Sequence, residues 1–314
     1  MKKIKTLSLI AGAILCGGIL LTGCGGGDNS SENIGNSSGG NNNNLLFPKN
    51  AVLAKPSLEN GKKVADIVLS VSDVGIPRLF MDLVNNMAID DNLPNKDSTK
   101  CMDDIGTLSY EIKEKNENYI NVIFTANNCN FEDEIINGRV NLIAENFDNN
   151  VNKYKKYTAK YSTEFNWKIL YNKTEVNISA NSYIEENVDF DENGILKEDN
   201  LSMSLKATNG TKDVGLENSK FHFIIKKDDS SIEFYQSKGR IYIDKNSYVD
   251  YNKTVKPFKY SIDPYTLIDG EAHYNMADNS KMRIVVLGSD NVKVEIDTDG
   301  DGEFELNESI NVNE

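Results

Sequence analysis

Histidine is scarce in this chain, which has 314 residues but only two histidines, His222 and His273. Neither lies in an H-E-x-x-H spacing, and the sequence contains no G-x-S-x-G, P-loop or G-x-G-x-x-G pattern. His222 stands between Phe221 and Phe223, so we expect its ring to point out of a strand. Acidic pairs are common, and we interpret them as solvated turns. We therefore expect a protein that is not an enzyme.

Basic residues are in the minority, with 34 Lys and Arg against 48 Asp and Glu and a formal net charge of −14. A surface of this sign repels phosphate backbones, which argues against nucleic acid as a partner. The most apolar stretch, residues 7–21, is too short for a comfortable membrane span. Hydrophobic residues still make up 39% of the chain, which is typical of a globular protein and not of a disordered one.

The first 24 residues carry an export pattern in three parts. Three lysines within residues 1–5 give a basic start, residues 7–21 are apolar, and Leu-Thr-Gly-Cys ends at Cys24. This order resembles the signal peptide and lipobox of bacterial lipoproteins, in which small residues precede the cleavage site and a lipidated cysteine follows it. The resemblance implies that residues 1–23 are a signal peptide and that Cys24 accepts a diacylglycerol and acyl chains such as palmitate.

The same resemblance implies a location and a partner. Gly25 stands where the lipoprotein sorting rule places an aspartate for inner-membrane retention, so we expect the outer membrane if the cell is Gram-negative. The partner is then the membrane, contacted through the lipid on Cys24, and the body lies in the cell envelope, on the periplasmic or the surface side. Residues 24–44 are rich in Gly, Asn and Ser, which predicts a disordered tether. A tether of this length reaches roughly 25 Å.

From residue 45 onwards the composition is typical of a globular domain. In the first part of this region the apolar residues have helical spacing. Apolar residues recur there every three or four positions, in two stretches. The first set is Val64, Ile67, Val68, Val71 and Val74, and the second is Leu79, Phe80, Leu83, Val84 and Met87. Pro77 suits the first turn of a helix. We therefore predict helices over residues 60–73 and 77–89 that pack on the core, with a ligand-covering lid as the alternative.

From about residue 105 onwards, apolar residues recur at every second position instead of every third or fourth. Residues 120–124 and 201–205 have an apolar side chain at every second position, and similar stretches continue to Ile296. Such stretches predict antiparallel strands with one apolar face. We expect a mainly β fold, a large antiparallel meander that forms a curled sheet, a half-barrel, a barrel or a sandwich. With one or two N-terminal helices, it would be one extracytoplasmic domain over residues 45–314.

Two cysteines remain for the body of the protein, Cys101 and Cys129, once Cys16 is removed with the signal peptide and Cys24 is lipidated. An even pair in an exported domain favours a disulfide. The two cysteines lie equally far along the chain from Lys115, at the predicted tip of a hairpin. They would therefore face each other at its open end, where a bridge is feasible. We predict a Cys101–Cys129 bridge, with two free buried thiols as the alternative.

An acidic segment near the end of the sequence has the spacing of a metal loop. Residues 297–308 read DTDGDGEFELNE and fit D-x-[DN]-x-[DN]-G-x₅-E at every fixed position. The segment resembles the calcium loop of EF-hand proteins. The resemblance implies that Ca²⁺ is bound by the carboxylates of Asp297, Asp299 and Asp301, the backbone carbonyl of Glu303, Glu305 directly or through water, and a bidentate Glu308.

The flanks of this segment depart from the EF-hand pattern. Residues 292–296 alternate as a strand does, and the six residues after Glu308 are too few for a full exiting helix. We therefore expect a structural Ca²⁺ site without the helix-pair switch. The alternative is an acidic hairpin turn that binds no metal.

Three functions fit these features. The first is a non-enzymatic envelope lipoprotein that serves as a structural or interaction module. The second is a protein that binds lipid or another apolar ligand in a pocket between a curved sheet and the helices. The third is a calcium-dependent hydrolase. The layout, with residues 60–65 near the start and the Asp-rich loop at the end, also resembles uncharacterised exported bacterial proteins, a resemblance that carries no activity.

Overall fold

The computed structural model describes most of the chain after the predicted tether. It describes residues 46–48, 50–69, 94–101, 104–131, 134–148, 153–162, 166–169, 174–179, 181–190, 196–208, 213–226, 230–244, 246–262 and 265–311. The predicted signal peptide, Cys24, the tether and the predicted helix over residues 77–89 lie outside them. Within these ranges, no helix has the length and apolar character needed to cross a membrane.

One α-helix and many strands make up the described residues. The chain begins with β1 (Val52–Leu53) and α1 (Leu58–Leu69). The next strands are β2 (Lys96–Lys100), β3 (Thr107–Asn116), β4 (Tyr119–Phe131), β5 (Glu134–Asp148), β6 (Lys153–Tyr161), β7 (Asn166–Ile169), β8 (Thr174–Ile178) and β9 (Tyr183–Phe190). The remaining strands are β10 (Leu196–Thr208), β11 (Asp213–Lys226), β12 (Ser231–Tyr242), β13 (Ser247–Ile262), β14 (Tyr265–Asn275), β15 (Lys281–Gly288), β16 (Asn291–Asp297) and β17 (Leu306–Asn311).

These strands belong to a single sheet in which most neighbours in sequence are neighbours in space. Strands β2 to β6 pair in chain order, and so do β9 to β17, with every pair antiparallel. Between the two runs, β7 pairs with β5 and β8, and β6 pairs with β9. Only β1 differs among the described strands, because it pairs with β13 in parallel. The prediction of a mainly β antiparallel meander is confirmed.

One face of the sheet carries the hydrophobic core. Side chains alternate across a strand, so every second residue points to this face. Ile120, Val122 and Phe124 of β4 are fully buried, as are Val292 and Val294 of β16. Strands from both ends of the meander contribute to one continuous core cluster. The sheet must therefore curve around its own apolar face.

Helix α1 covers part of that apolar face. The Ser57 hydroxyl accepts a hydrogen bond from the Asn60 backbone N–H at 3.2 Å, which caps the first turn. The buried residues of the helix are Gly61, Val64, Ala65, Ile67, Val68 and Leu69. A Cβ at Gly61 would lie 2.5 Å from Val294 Cγ1, so only glycine allows the helix to approach β16 this closely. The first predicted helix is confirmed over the residues that the structure describes.

The segment that precedes α1 runs along one end of the sheet. The Phe47 ring stacks on the Tyr242 ring, with centroids 4.5 Å apart. After β1 has paired with β13, the Ala54 carbonyl accepts a hydrogen bond from the Ala277 backbone N–H at 2.8 Å. The entering chain is therefore fixed to β12, to β13 and to the turn after β14 before the helix begins.

A disulfide joins Cys101 and Cys129, as predicted, with an S–S distance of 1.99 Å and a Cα–Cα distance of 5.3 Å. The predicted hairpin is also present, because β3 and β4 pair up to the turn between Asn116 and Tyr119. Cys101 directly follows β2, so the bridge ties β2 to β4 across β3. All five residues of β2 are exposed. Its attachment therefore depends on β3 pairing and on this bridge.

Candidate metal centre

The acidic segment forms the turn between β16 and β17. Strand β16 ends at Asp297, and β17 begins at Leu306. Gly300 and Gly302 have φ values of +84° and +100°, a backbone conformation that favours glycine and lets the chain reverse. A Cβ at Gly300 would also lie 2.7 Å from the Asn279 carbonyl oxygen. The turn therefore packs against the 3₁₀ segment after β14.

Four carboxylates converge in this turn. Oxygens of Asp297, Asp299, Asp301 and Glu305 all lie within 4.8 Å of one another. Asp297 is fully buried, whereas the other three side chains are exposed. Four negative charges at this spacing repel one another, and the repulsion is strongest around the buried member because less water screens it. The arrangement would be stabilised by a cation.

Backbone N–H groups hold the aspartates in place. Asp297 Oδ1 accepts from the Gly300 N–H at 2.6 Å, and Oδ2 accepts from the Gly302 N–H at 3.0 Å. The carboxylate of Asp299 accepts from the Asp301 N–H at 3.2 Å. A carboxylate has about four lone-pair sites, so each of these groups retains capacity for a cation.

Glu305 closes the turn from its other side. Its Oε2 accepts hydrogen bonds from the backbone N–H of Thr298 at 2.7 Å and from the Thr298 hydroxyl at 2.8 Å. These bonds favour the ionised form and hold the pKa of Glu305 below its ordinary value. The carboxylate is therefore charged at neutral pH and oriented towards the aspartates.

Comparison with known proteins adds no further information about this turn. The chain matches no protein-family model, no curated protein and no solved structure.

Glu308 contributes no oxygen to the carboxylate cluster, and Glu303, which is predicted to bind through its backbone carbonyl, keeps its side chain outside it. Glu303 has an exposed side chain, and its backbone N–H donates to Asp301 Oδ1 at 2.7 Å. Glu308 belongs to β17, where it pairs opposite Val294. Its Oε1 lies 2.5 Å from Nζ of Lys62 in α1. Glu308 thus links the last strand to the helix.

The donor set suits a hard divalent cation. The converging side chains are all carboxylates, which are the ligands that Ca²⁺ takes, whereas structural Zn²⁺ sites use Cys and His. Three exposed side chains can adjust their positions, which fits the flexible coordination of Ca²⁺ better than the strict octahedron of Mg²⁺. The residues present therefore fit a calcium ion.

The two histidines lie away from this turn. His222 Nδ1 is 2.6 Å from Asn200 Oδ1, and His273 Nε2 is 2.6 Å from Glu271 Oε1. Each ring therefore has a neighbouring polar partner on its own part of the sheet. Within the described residues, neither histidine joins a cluster with metal-ligand spacing.

Sequence reasoning missed a pair of buried acids in the middle of the sheet. Glu186 of β9 pairs opposite Leu201 of β10, and Asp199 precedes Leu201 by two residues, so both acids face the core. They are 5% and 8% exposed. Burial raises the pKa of Asp199 well above its ordinary value, and the charge of Glu186 raises it further.

The hydrogen bonding of Asp199 is consistent with its raised pKa. Its Oδ1 has no hydrogen-bond partner in the described structure. An unpaired buried carboxylate oxygen is costly, and protonation lowers that cost. Because both acids are buried, they do not support the hydrolase alternative, which requires carboxylates in an open cleft.

Proposed function

We propose that the protein is a membrane-anchored envelope lipoprotein whose β-rich domain is a non-enzymatic structural or interaction module. We further propose that the turn between β16 and β17 binds Ca²⁺ as a structural ion. The observation that carries the calcium proposal is the convergence of four carboxylates, one of them fully buried, in one turn.

The position of the turn supports a structural role for the proposed ion. The turn joins the last two strands, and α1 packs on β16 near Val294. An ion that relieves repulsion in the turn would therefore stabilise the β16–β17 hairpin on which the helix rests. No switching motion is required of it, because the turn is flanked by strands.

Calcium should raise the melting temperature of the protein. A single loop of this kind is expected to bind with a Kd on the order of 10⁻⁴–10⁻³ M. At ten times Kd the folded state would gain about 1.4 kcal/mol. For a domain of this size the melting temperature should rise by about 3–6 °C. Thermal melts in excess Ca²⁺ and in chelator, with titration calorimetry, measure both quantities.

A matched pair of variants tests which carboxylates are involved. Asp301→Asn removes one exposed member of the cluster and should weaken Ca²⁺ binding by about tenfold or more. Glu303→Gln removes the same charge from an exposed side chain outside the cluster and should leave binding unchanged. Equal melting temperatures of the unaltered protein in calcium and in chelator, with no calorimetric signal, would show that the turn binds no metal.

The lipid anchor is tested by cell fractionation. Cys24→Ala should move the protein from the membrane fraction to the soluble fraction, because a single lipidated residue is the proposed anchor. Cys16→Ala lies within the predicted signal peptide and should leave the protein in the membrane fraction. Full membrane retention of the Cys24→Ala protein would contradict the proposal.

A further inference from the structure

A groove lies on the outer face of the sheet, opposite the core, where β2, β3, β4 and β5 run side by side. Its volume is about 400 Å³, within the range of about 300–1,000 Å³ typical of small-molecule sites. We call it the β2–β5 groove, and its lining residues include Lys96, Ser98, Ser109, Ile123, Thr125 and Arg139.

A row of polar side chains crosses the floor of this groove. Ser98 pairs opposite Ser109, Ser109 opposite Thr125, and Thr125 opposite Arg139. Residues directly opposite each other in a sheet point to the same side. Three hydroxyls and one guanidinium group are therefore aligned across four strands. Ile123, one pair further along β4, adds an apolar patch beside the row.

The charges of the groove differ from those of the protein as a whole. Glu111, the acid next to the row, lies 2.8 Å from Lys96 Nζ and 2.5 Å from Lys113 Nζ. Hydrogen bonds from Lys113 and Lys96 lower the pKa of Glu111 to about 2. Glu111 is thus held ionised between two lysines, and its charge is more than balanced.

Arg139 is the arginine of this groove, and its guanidinium is available for a ligand. It is exposed, and it forms no ion pair within the residues that the structure describes. The two other arginines that the structure describes, Arg240 and Arg283, each pair with a glutamate. An exposed guanidinium without an ion-pair partner among the described residues, at the end of a row of hydroxyls, is suited to a carboxylate because its N–H groups bind one bidentately.

We propose that the β2–β5 groove binds a small carboxylated polyol, such as a sugar acid. The carboxylate would pair with Arg139, the ligand hydroxyls would exchange hydrogen bonds with Ser98 and Thr125, and the apolar face of the ring would lie on Ile123. This site is separate from the calcium turn, and it gives the proposed interaction module a class of ligand.

The surrounding charges favour a monoanion over a phosphate dianion. Arg139 neutralises one negative charge when it binds a carboxylate bidentately, so the second charge of a phosphate dianion would remain uncompensated in the groove. A neutral sugar would make the hydroxyl contacts but leave Arg139 unpaired. The carboxylate is therefore the group that should decide affinity.

The groove also has a fixed wall. Strand β2 forms one side of it, and the Cys101–Cys129 bridge ties the end of this strand to β4. The hydroxyl of Ser98 is therefore held at its position opposite Ser109 even though every residue of β2 is exposed.

Titration calorimetry on the full-length chain in detergent tests this site with D-glucuronate, D-glucose and inorganic phosphate. Glucuronate should bind with a Kd on the order of 1 mM, as expected for a ligand of its size. Glucose and phosphate should bind at least tenfold more weakly. Chelator should leave glucuronate binding unchanged, which separates this result from the calcium proposal.

Variants identify the residues. Arg139→Gln should weaken glucuronate binding by about tenfold or more, and Lys253→Gln, which removes an exposed cation on distant β13, should not change it. Ser98→Ala should weaken it by a few fold and serves as the second test if Arg139→Gln does not fold. No glucuronate binding at 50 mM, equal binding by glucose, tighter binding by phosphate, or equal binding by folded Arg139→Gln would each overturn the proposal.

Discussion

Replacing Cys101 and Cys129 by serine should lower the free energy of unfolding by about 3–4 kcal/mol, because the bridge closes a loop across a sequence separation of 28 residues. The bridge restricts the unfolded chain, and its loss restores that conformational freedom. Urea denaturation of the double variant, compared with the unaltered protein, measures the effect as a lower midpoint, with an equal or steeper slope because the unbridged chain unfolds to a more expanded state.

Reduction supplies the control for this prediction. The unaltered protein in excess reductant should unfold at the same urea concentration as the double-serine variant, and reductant should not change the variant further. Hydrogen exchange should rise first in β2, because every residue of this strand is exposed and the bridge fixes its end. A stability loss below about 1 kcal/mol would contradict the chain-entropy argument.

Asp199→Asn should stabilise the protein at neutral pH. The folded-state pKa of Asp199 is raised, so folding at pH 7 requires either a buried charge or the uptake of a proton. Each pH unit between the unfolded pKa of about 3.9 and the raised folded pKa adds about 1.4 kcal/mol to the cost of folding. Asparagine removes the ionisation, so we expect a gain of at least about 1 kcal/mol at pH 7.

The stability gained by Asp199→Asn should increase as the pH rises. Below about pH 4 the carboxyl is protonated in both states and costs nothing, and as the pH rises towards the raised folded pKa the cost grows. The stabilising effect of Asp199→Asn should therefore be present at pH 7 and vanish near pH 4. Asp189→Asn, which removes a carboxylate paired with Lys197 on the surface, should change stability by less than about 1 kcal/mol. A destabilised Asp199→Asn protein at pH 7 would show that the charge is compensated.

The disulfide and its hairpin were predictable from sequence because both depend on the order of residues within one short segment. Residues that alternate strictly on both sides of a short polar turn fold back on each other, so positions equally far from the turn meet. In the structure the turn lies between Asn116 and Tyr119, so this rule accounts for the hairpin. Cys101 reaches Cys129 because the β2–β3 turn holds it at the open end of that hairpin. The first helix was predictable for the same reason, since its period of three to four residues is visible within a single segment.

The position of Glu308 was harder to predict because two patterns overlap in the same residues. The calcium-loop spacing assigns Glu308 to the ligand set. The alternation of Leu306, Glu308 and Ile310, half-buried between exposed residues, assigns it to a strand. In the structure the strand pattern extends to the end of the segment, and pairing with β16 directs Glu308 towards Lys62.

The buried acids and the groove depend on pairing between strands, which a single sequence does not specify. Asp199 lies two residues before Leu201 and faces the core together with Leu201 and Met203. A prediction based on alternating apolar residues does not place an acid on that face. The row from Ser98 to Arg139 exists only because four strands pair in one register. A shift of one residue in any of them would move that strand's side chain to the other face.

The chain order of the strands has a consequence for how the domain folds. Most strands pair with the strand before them, so hairpins can form and lengthen the sheet through contacts of short range in sequence, which favours rapid folding. Two of the described elements differ, because β1 pairs with the distant β13 and Lys62 of helix α1 meets Glu308 across 246 residues. The helix can bury its apolar side against β16 and β17 only after these two strands have been synthesised and have paired. Contact between the two ends of the domain is thus the last and entropically most expensive loop closure of the fold.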